Sequence, residues 1–427
     1  MQLKKPTAIR LGLMTASCAL LGAQPPAASA ASNESPLQID TALLYYKENA
    51  GRVQTIEPVV ELKKDYGDER ILTGTLTFDS LTGGSPNGAL PSRTVQTFTS
   101  ASRGTTRTVV TGDLPLDKTF KDTRVAGDVG WSQPLGEASH VALGGHLSKE
   151  YDFTSAGVNA GVSRDFNQKN TTLSLGVNAE FDTINPVGGA PVPLSVYASS
   201  SKKEDDDKRS VRVNSDTRNV HGALLGITQV MSRYWLASLN YSYDRSSGYM
   251  TDPYKIVTRV DVVGSTLGYV YESRPRDRTR KSIYLGNKMA LGEQVLDLSF
   301  RHGSDDWGVK SNMIDGRLRV RIDGDLFVEP HARWYHQSAA DFYNLYLTRS
   351  ATPKYTSADQ RLAEFDATTY GVKVGEKLAG IGEVSVSLEA YNQTPKVHTS
   401  TLTQLQGLDL NPGLRAVMFQ VGWRTEF

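Results

Sequence analysis

Arg317, Arg319 and Arg321 stand at alternate positions in GRLRVRID, the spacing that places side chains on one face of a β-strand. Three guanidiniums on one face could steer anions, or they could pair with carboxylates on neighbouring strands. The flanking strand-like segments offer both kinds of neighbour. Asp297 and Arg301 lie on one side, and Glu329, His331 and Arg333 on the other. Charges on a lipid-facing surface would cost roughly 2–4 kcal/mol each at the bilayer midplane, so this ladder is expected to point into a lumen. Two readings follow: an interior filled with mutually paired charges, or a channel whose transverse field favours polar or anionic solutes.

Other chemistry is thinly supplied. The seven histidines are dispersed, and His331 and His336, five apart, would fall on opposite faces of a strand. A zinc site would need three or four convergent ligands. No GxGxxG, Walker loop or GxSxG elbow occurs. Catalytic, cofactor-binding and metal-binding residues are therefore not assigned, and the chain is read as a non-enzyme without a cofactor. The run SKKEDDDKRS (201–210) reads as a solvated loop tip, with a divalent-cation bridge to lipopolysaccharide phosphates as the functional alternative.

The elements that must position the ladder are announced by the C-terminus, GLRAVMFQVGWRTEF. Val417, Phe419, Val421, Trp423, Thr425 and Phe427 alternate with Met418, Gln420, Gly422, Arg424 and Glu426. One face is apolar and aromatic, the other small or charged. That is the pattern of the closing strand of an outer-membrane β-barrel, with lipid on one side and a polar lumen on the other. Phe419, Val421, Trp423 and Phe427 are the residues the barrel-assembly machinery is expected to engage. Further upstream, Leu173, Leu175, Val177, Ala179 and Phe181 alternate with Thr172, Ser174, Gly176, Asn178, Glu180 and Asp182. A helix would scatter those apolar residues around its whole circumference.

Applied along the chain, this template predicts an all-β, antiparallel up-and-down transmembrane barrel of about sixteen strands. Short turns such as YGDER, MSRY and DGD alternate with long loops near 80–119, 183–218, 246–279, 338–365 and 393–413. Short periplasmic turns and long external loops are the topology of outer-membrane barrels, and an even strand count brings both termini to the periplasm. TRVDVVGSTLGYVYE (258–272) could add a hairpin, which would make eighteen.

Composition agrees. The 47 basic and 46 acidic residues leave no strongly basic field to engage nucleic acid. No segment after the first thirty residues is apolar for long enough to span a bilayer as a helix, whereas alternate polarity is what a barrel requires. Nineteen Tyr suit interfacial girdles, and 38 Gly suit turns and crowded inward positions. Residues 1–30 read as a cleaved signal peptide. Lys4, Lys5 and Arg10 precede the apolar run Leu11 to Ala23, and Ala28-Ser29-Ala30 offers the cleavage site. The single cysteine, Cys18, lies inside it without the aliphatic residue upstream that lipidation favours. Residues 31–427 then form one barrel domain in the cell outer membrane, without disulfides.

Several segments go beyond barrel statistics, among them DSLTGGSPNGA (79–89), PLDKTFKDTR (115–124), NPVGGAPVPLS (185–195), GYMTDPYK (248–255), YESRPRDRTR (271–280) and HARWYHQSAADFY (331–343). Together, and in this order, they resemble the proteobacterial family known as domain of unknown function 3570. The resemblance covers essentially the whole mature chain. It implies an outer-membrane barrel and supplies no activity or site residues. It also implies a setting beside an envelope redox system containing a flavin-attaching transferase, a small lipoprotein-like protein and a thioredoxin-like protein.

Three functions are open at this point. One is a porin-like channel for a small polar solute, with SPNGALPS, NPVGGAPVPLS and DPYK in loops that cap or constrict the mouth. Another is a structural barrel that houses a periplasmic or lipid-anchored redox or flavin-linked partner. An outer-membrane hydrolase would need a convergent Ser/His/Asp set, which the chain does not announce. Lipid, lipopolysaccharide and the assembly machinery are the remaining expected partners.

Overall fold

The computed structural model describes residues 37–99, 106–118, 120–197, 212–213 and 215–427. Residues 1–30, expected from the sequence to be a signal peptide and holding Cys18, and the charge run 201–210 lie outside the described residues. Sixteen strands close into one antiparallel barrel, each paired with its sequence neighbours. In order they are Leu37–Glu48, Gln54–Asp65, Ile71–Thr82, Lys121–Pro134, Ser139–Lys149, Phe153–Phe166, Thr171–Ile184 and Asp216–Ser232. Trp235–Gly248, Asp277–Leu291, Gln294–Asp305, Lys310–Asp323, Leu326–Gln337, Phe365–Leu378, Gly382–Pro395 and Leu414–Glu426 complete the circle. The last strand pairs with the first, Val421 opposite Leu43 and Phe419 opposite Tyr45. Below that seam, Leu37 and Phe427 exchange backbone hydrogen bonds of 2.9 and 3.0 Å, so both ends meet on the short-turn side.

The alternation places the side chains as a barrel requires. Leu175 and Val177 are about half exposed on the outer wall, whereas Glu180 and Asp182, on the opposite face of the same strand, are 2% exposed. The outer apolar surface continues through Leu43, Leu76, Val129, Leu143, Val158, Leu225, Ile283, Leu388 and Val417. Tyr66, Phe166, Tyr234, Trp235 and Trp423 are exposed at the short-turn end, where aromatic rings suit the membrane interface. Most barrel strands have 12 to 17 residues, more than the roughly 9–11 needed to cross a bilayer. The excess stands beyond the membrane and carries the loops.

The hairpin that could have enlarged the barrel forms, but elsewhere. Ile256–Val260 pairs on one side with Thr266–Tyr271 and on the other with Tyr346–Thr348 in a small three-stranded sheet outside the barrel wall. Those residues carry buried Ile256, Val257, Val260, Val270 and Tyr271. An outer apolar face alone does not make a barrel strand; here the apolar residues find partners in other loops.

The protein's apolar core is mostly in those loops. Phe98, Ala89, Ile256 and Tyr271 form one cluster. Trp307, Phe342, Ala340 and Leu362 form a second, and Leu90, Val260, Leu405 and Leu410 a third. The long loops are thus one folded cap. Backbone hydrogen bonds knit it across distant sequence: Ile256 N to Asn87 O at 2.8 Å, Tyr271 N to Ser195 O at 3.0 Å, and a reciprocal Ser273–Thr356 pair at 2.8 Å.

Two substitutions test which face meets lipid. Leu175→Arg should lower unfolding stability by roughly 2–4 kcal/mol. Thr75→Arg, on the inner face in register with Glu61 and Asp128, should change it by less than about 1 kcal/mol. Urea unfolding in lipid vesicles, followed by the heat-modifiable mobility of the barrel, measures both.

Candidate functional site: a charged cavity beneath a loop cap

Under the cap lies a cavity of about 960 Å³, bounded by the inner barrel wall and roofed by cap residues. The roof is an ionic knot. Asp252, Lys255, Glu272 and Asp359 are each at most 3% exposed. Arg274 donates to Glu272 at 3.0 Å and to Asp359 at 2.8 Å. Arg361 donates to Asp252 at 2.9 Å and through Nε to both Asp359 oxygens at 2.9 Å. Lys255 donates to Ser85 at 3.1 Å and to the Pro86 carbonyl. Glu272 accepts from Ser357 and from the Asp252 backbone, both at 2.5 Å. Three long loops therefore meet in one polar cluster, where burial without pairing would be prohibitive.

Electrostatics follow from that packing. Burial alone would raise the Asp252 carboxyl, yet Arg361, Lys255 and Arg274 together hold it at about 2. Against the same burial, Arg361, Lys255 and Arg274 hold Asp359 well below the ordinary carboxylate range. Burial pushes Glu272 up, opposed by Arg274, and pushes the Lys255 ammonium down, opposed by Asp359.

The wall below is rich in arginine, mostly paired. Arg124 donates to Asp79 at 2.6 Å and Arg218 to Asp182 at 2.6 Å. Arg278 donates to Asp305 at 2.7 Å while its guanidinium lies 4.4 Å from the Trp307 ring centre. Arg280 and Arg301 are different: the Nε of each is buried without a hydrogen-bond partner among the described residues. Tyr46, Tyr284, Tyr335 and Tyr391 also face this space.

The residues singled out from the sequence occupy one sector of the wall. Asp315, Arg317, Arg319 and Arg321 share the strand face opposite exposed Ile314. Arg317 lies 3.7 Å from Asp315, and Arg319 donates to Glu329 at 2.9 Å with its guanidinium 3.9 Å from the Phe327 ring centre. Arg321 is opposite Phe327 and exposed. Asp297 is in register with Arg317. Arg333 donates to Asp315 at 2.6 Å. Only Arg301 and Arg333 of this set line the cavity; the rest stand lower on the wall. The Arg317 and Arg319 side chains remain about 40% accessible there, whereas those of Arg124, Arg218 and Arg278 near the cap are only 14–22% accessible. Accessibility thus grows toward the short-turn end.

His331 bridges Asp315 at 2.9 Å and Glu389 at 2.8 Å. His336 is on the other face, stacked on Trp334. Phe419, Val421, Trp423 and Phe427 are all exposed on the outer wall. Asp122, Glu150 and Asp152 form the one set of three carboxylates, among the described residues, close enough to share a cation, with ligand atoms within 4.8 Å; the Tyr254 hydroxyl already donates to Asp152 at 2.6 Å. The roof knot is not legible as a site in the sequence, although DPYK and YESRPRDRTR stand out there as loop strings. Its members are separated by up to 109 residues.

Residues 11–425 match the profile described as "Protein of unknown function (DUF3570)". The chain belongs to the DUF3570 family. No curated protein matches this DUF3570 barrel in sequence. Among solved structures it is similar to the ferric enterobactin receptor PfeA of Pseudomonas aeruginosa, at 9% identity and TM-score 0.43, over 87% of this chain and 56% of that one. It is also similar to OpdK of Pseudomonas aeruginosa, solved with vanillate, at 9% identity and TM-score 0.40, over 92% and 99% of the two chains. CdiB from Acinetobacter baumannii gives 7% identity and TM-score 0.44, over 93% and 61%. The DUF3570 barrel thus spans little more than half the length of PfeA.

Arg274→Met leaves Glu272 and Asp359 buried with less compensation and should loosen the cap by roughly 3–5 kcal/mol, read as faster amide exchange at Ser273 and Thr356 in an otherwise folded barrel. The pH response has a definite sign. Asp252 and Asp359 titrate lower in the cap than in an unfolded chain, so their stabilisation is complete above about pH 4 and is lost as pH falls toward about 2. Glu272 acts in the opposite direction and is outnumbered. Fluorescence of a variant that keeps Trp307 as its only tryptophan should stay constant from pH 8 to 5 and change between about 4 and 2.

Proposed function

We propose that this outer-membrane barrel is a porin-like channel for a small polar solute that rests closed, with the loop cap as its gate. One observation carries the reading: the cavity under the cap is lined by many charged and hydroxylated side chains set among apolar ones, and it lies above a wall whose arginines become more accessible toward the periplasmic end. A lumen that carries charged groups at every height serves the passage of polar solutes, and its guanidiniums favour anions. SPNGALPS and DPYK belong to the cap, where Leu90 and Lys255 are buried, and fold as a gate must. Lipid and lipopolysaccharide surround the barrel in this reading, and the outer aromatic face of Phe419, Val421, Trp423 and Phe427 serves its insertion by the assembly machinery.

The packed external mouth also favours a second reading. A barrel closed outside and accessible from the periplasm would house part of a periplasmic redox or flavin-linked partner.

Single-channel recording in planar bilayers separates the two. The wild-type barrel should be mostly closed, and Arg274→Met should conduct steadily with anion preference. Changing Arg317, Arg319 and Arg321 to Ser in that background should reduce the preference about twofold or more. A folded, heat-modifiable Arg274→Met barrel that never conducts would sink the channel reading. Co-purification of a haem or flavin protein with the wild type would then support the housing role.

A further inference from the structure

The geometry points to a binding site for a small organic carboxylate on the cavity wall, built on Arg280 and Arg301. It deepens the channel reading by naming the class of solute; binding is measured without transport, so either can fail alone.

Arg280 and Arg301 come from adjacent strands and both line the cavity. Arg280 stands in register between Asp244 and Asp305. Asp305 is already committed: one oxygen accepts from Arg278, and the other from the backbone N–H groups of Trp307 and Val309 at 3.0 and 2.9 Å. That leaves Asp244, which lies within electrostatic reach of both Arg280 and Arg301. One carboxylate thus stands near two guanidiniums, and among the described residues each retains a buried Nε with no hydrogen-bond partner. Five fixed donors on each arginine, incompletely used and beside the cavity, are what a second carboxylate would satisfy. The surrounding wall selects among anions. Tyr284, Arg301, Met313 and Tyr335 follow one another in register across four strands, all facing the cavity. The Tyr284 ring lies 5.8 Å from the Arg301 guanidinium, and the Tyr335 hydroxyl is occupied in donating to Gln337 at 2.9 Å. This is a shelf of rings and a thioether with a cation at its centre, and it would be left uncovered by a bare inorganic anion. A flat carboxylate covers the shelf and presents its oxygens to the arginines.

Calorimetric titration of the detergent-folded wild-type barrel with benzoate near neutral pH tests this, with inorganic phosphate and benzyl alcohol as comparison ligands. Benzoate should bind one to one, benzyl alcohol should not, and Arg280→Gln and Arg301→Gln should each weaken binding about tenfold or more. Arg301→Lys, which keeps the charge without the fork, should weaken it about threefold and serves where the glutamine variant does not fold. Arg70→Gln, on a periplasmic turn, should leave binding unchanged. No benzoate binding up to about 10 mM, or equal weakening by Arg70→Gln, overturns the site. Phosphate binding as tightly as benzoate overturns the organic class. Benzoate binding by a barrel that never conducts would leave the site standing while the channel reading falls.

Discussion

A polypeptide in hydrocarbon must satisfy every backbone N–H and C=O from within itself, and in a chain without long apolar helices only a closed sheet does so. Every other feature of this molecule follows from the seam between Leu37–Glu48 and Leu414–Glu426, where the last of sixteen strands finds the first. Closure removes the two unpaired edges that would otherwise face lipid. It also divides each strand's side chains into two solvents. Most apolar residues are committed outward, so the interior is built largely from Asp, Glu, Arg, Tyr, Ser and Gly, with a few apolar side chains such as Val220, Leu224, Met313 and Met418. A barrel of this kind has no apolar core of its own, and the charges inside it must either pair or stay wet.

Both solutions occur, at different heights. Toward the short-turn end, Arg317 and Arg319 keep access to water. Toward the external end the loops descend on the lumen, exposure falls, and pairing becomes the rule. That is where Arg124–Asp79, Arg218–Asp182 and Arg278–Asp305 occur, and where the six-residue knot of Asp252, Lys255, Glu272, Arg274, Asp359 and Arg361 forms the roof. The cap supplies the core that the barrel lacks. Its clusters hold segments far apart in sequence so closely that Gly88, at φ +94°, leaves no room for a Cβ, which would meet the Ile256 carbonyl at 2.2 Å. Arg280 and Arg301 sit between these regimes, roofed over yet incompletely paired, and for that reason they are the part of the wall with chemistry to spare.

The period-two pattern was legible because it is a local property. Thr171–Ile184 reads the same in the sequence as in the barrel, since lipid and lumen act on alternate residues whatever the neighbouring strands are. Strand number and loop alternation follow from the same rule. The family is carried by loop strings such as GYMTDPYK and YESRPRDRTR, which resist description by periodicity. Residues 256–271 show the limit. They have the composition of a barrel hairpin, and only the presence of Phe98, Leu347, Ala358 and Leu405 nearby makes them part of a cap.

The sequence by itself determined the closed antiparallel barrel, its outer face and its family, because each rests on alternation or on contiguous motifs. The tertiary structure alone decided that the loops form one cap, that Asp252, Glu272, Asp359 and their cations meet in its floor, and which arginines are left over. Pairing of this kind depends on which side chains converge across loops and on how much water remains between them. Neither quantity is written in the spacing of residues along the chain.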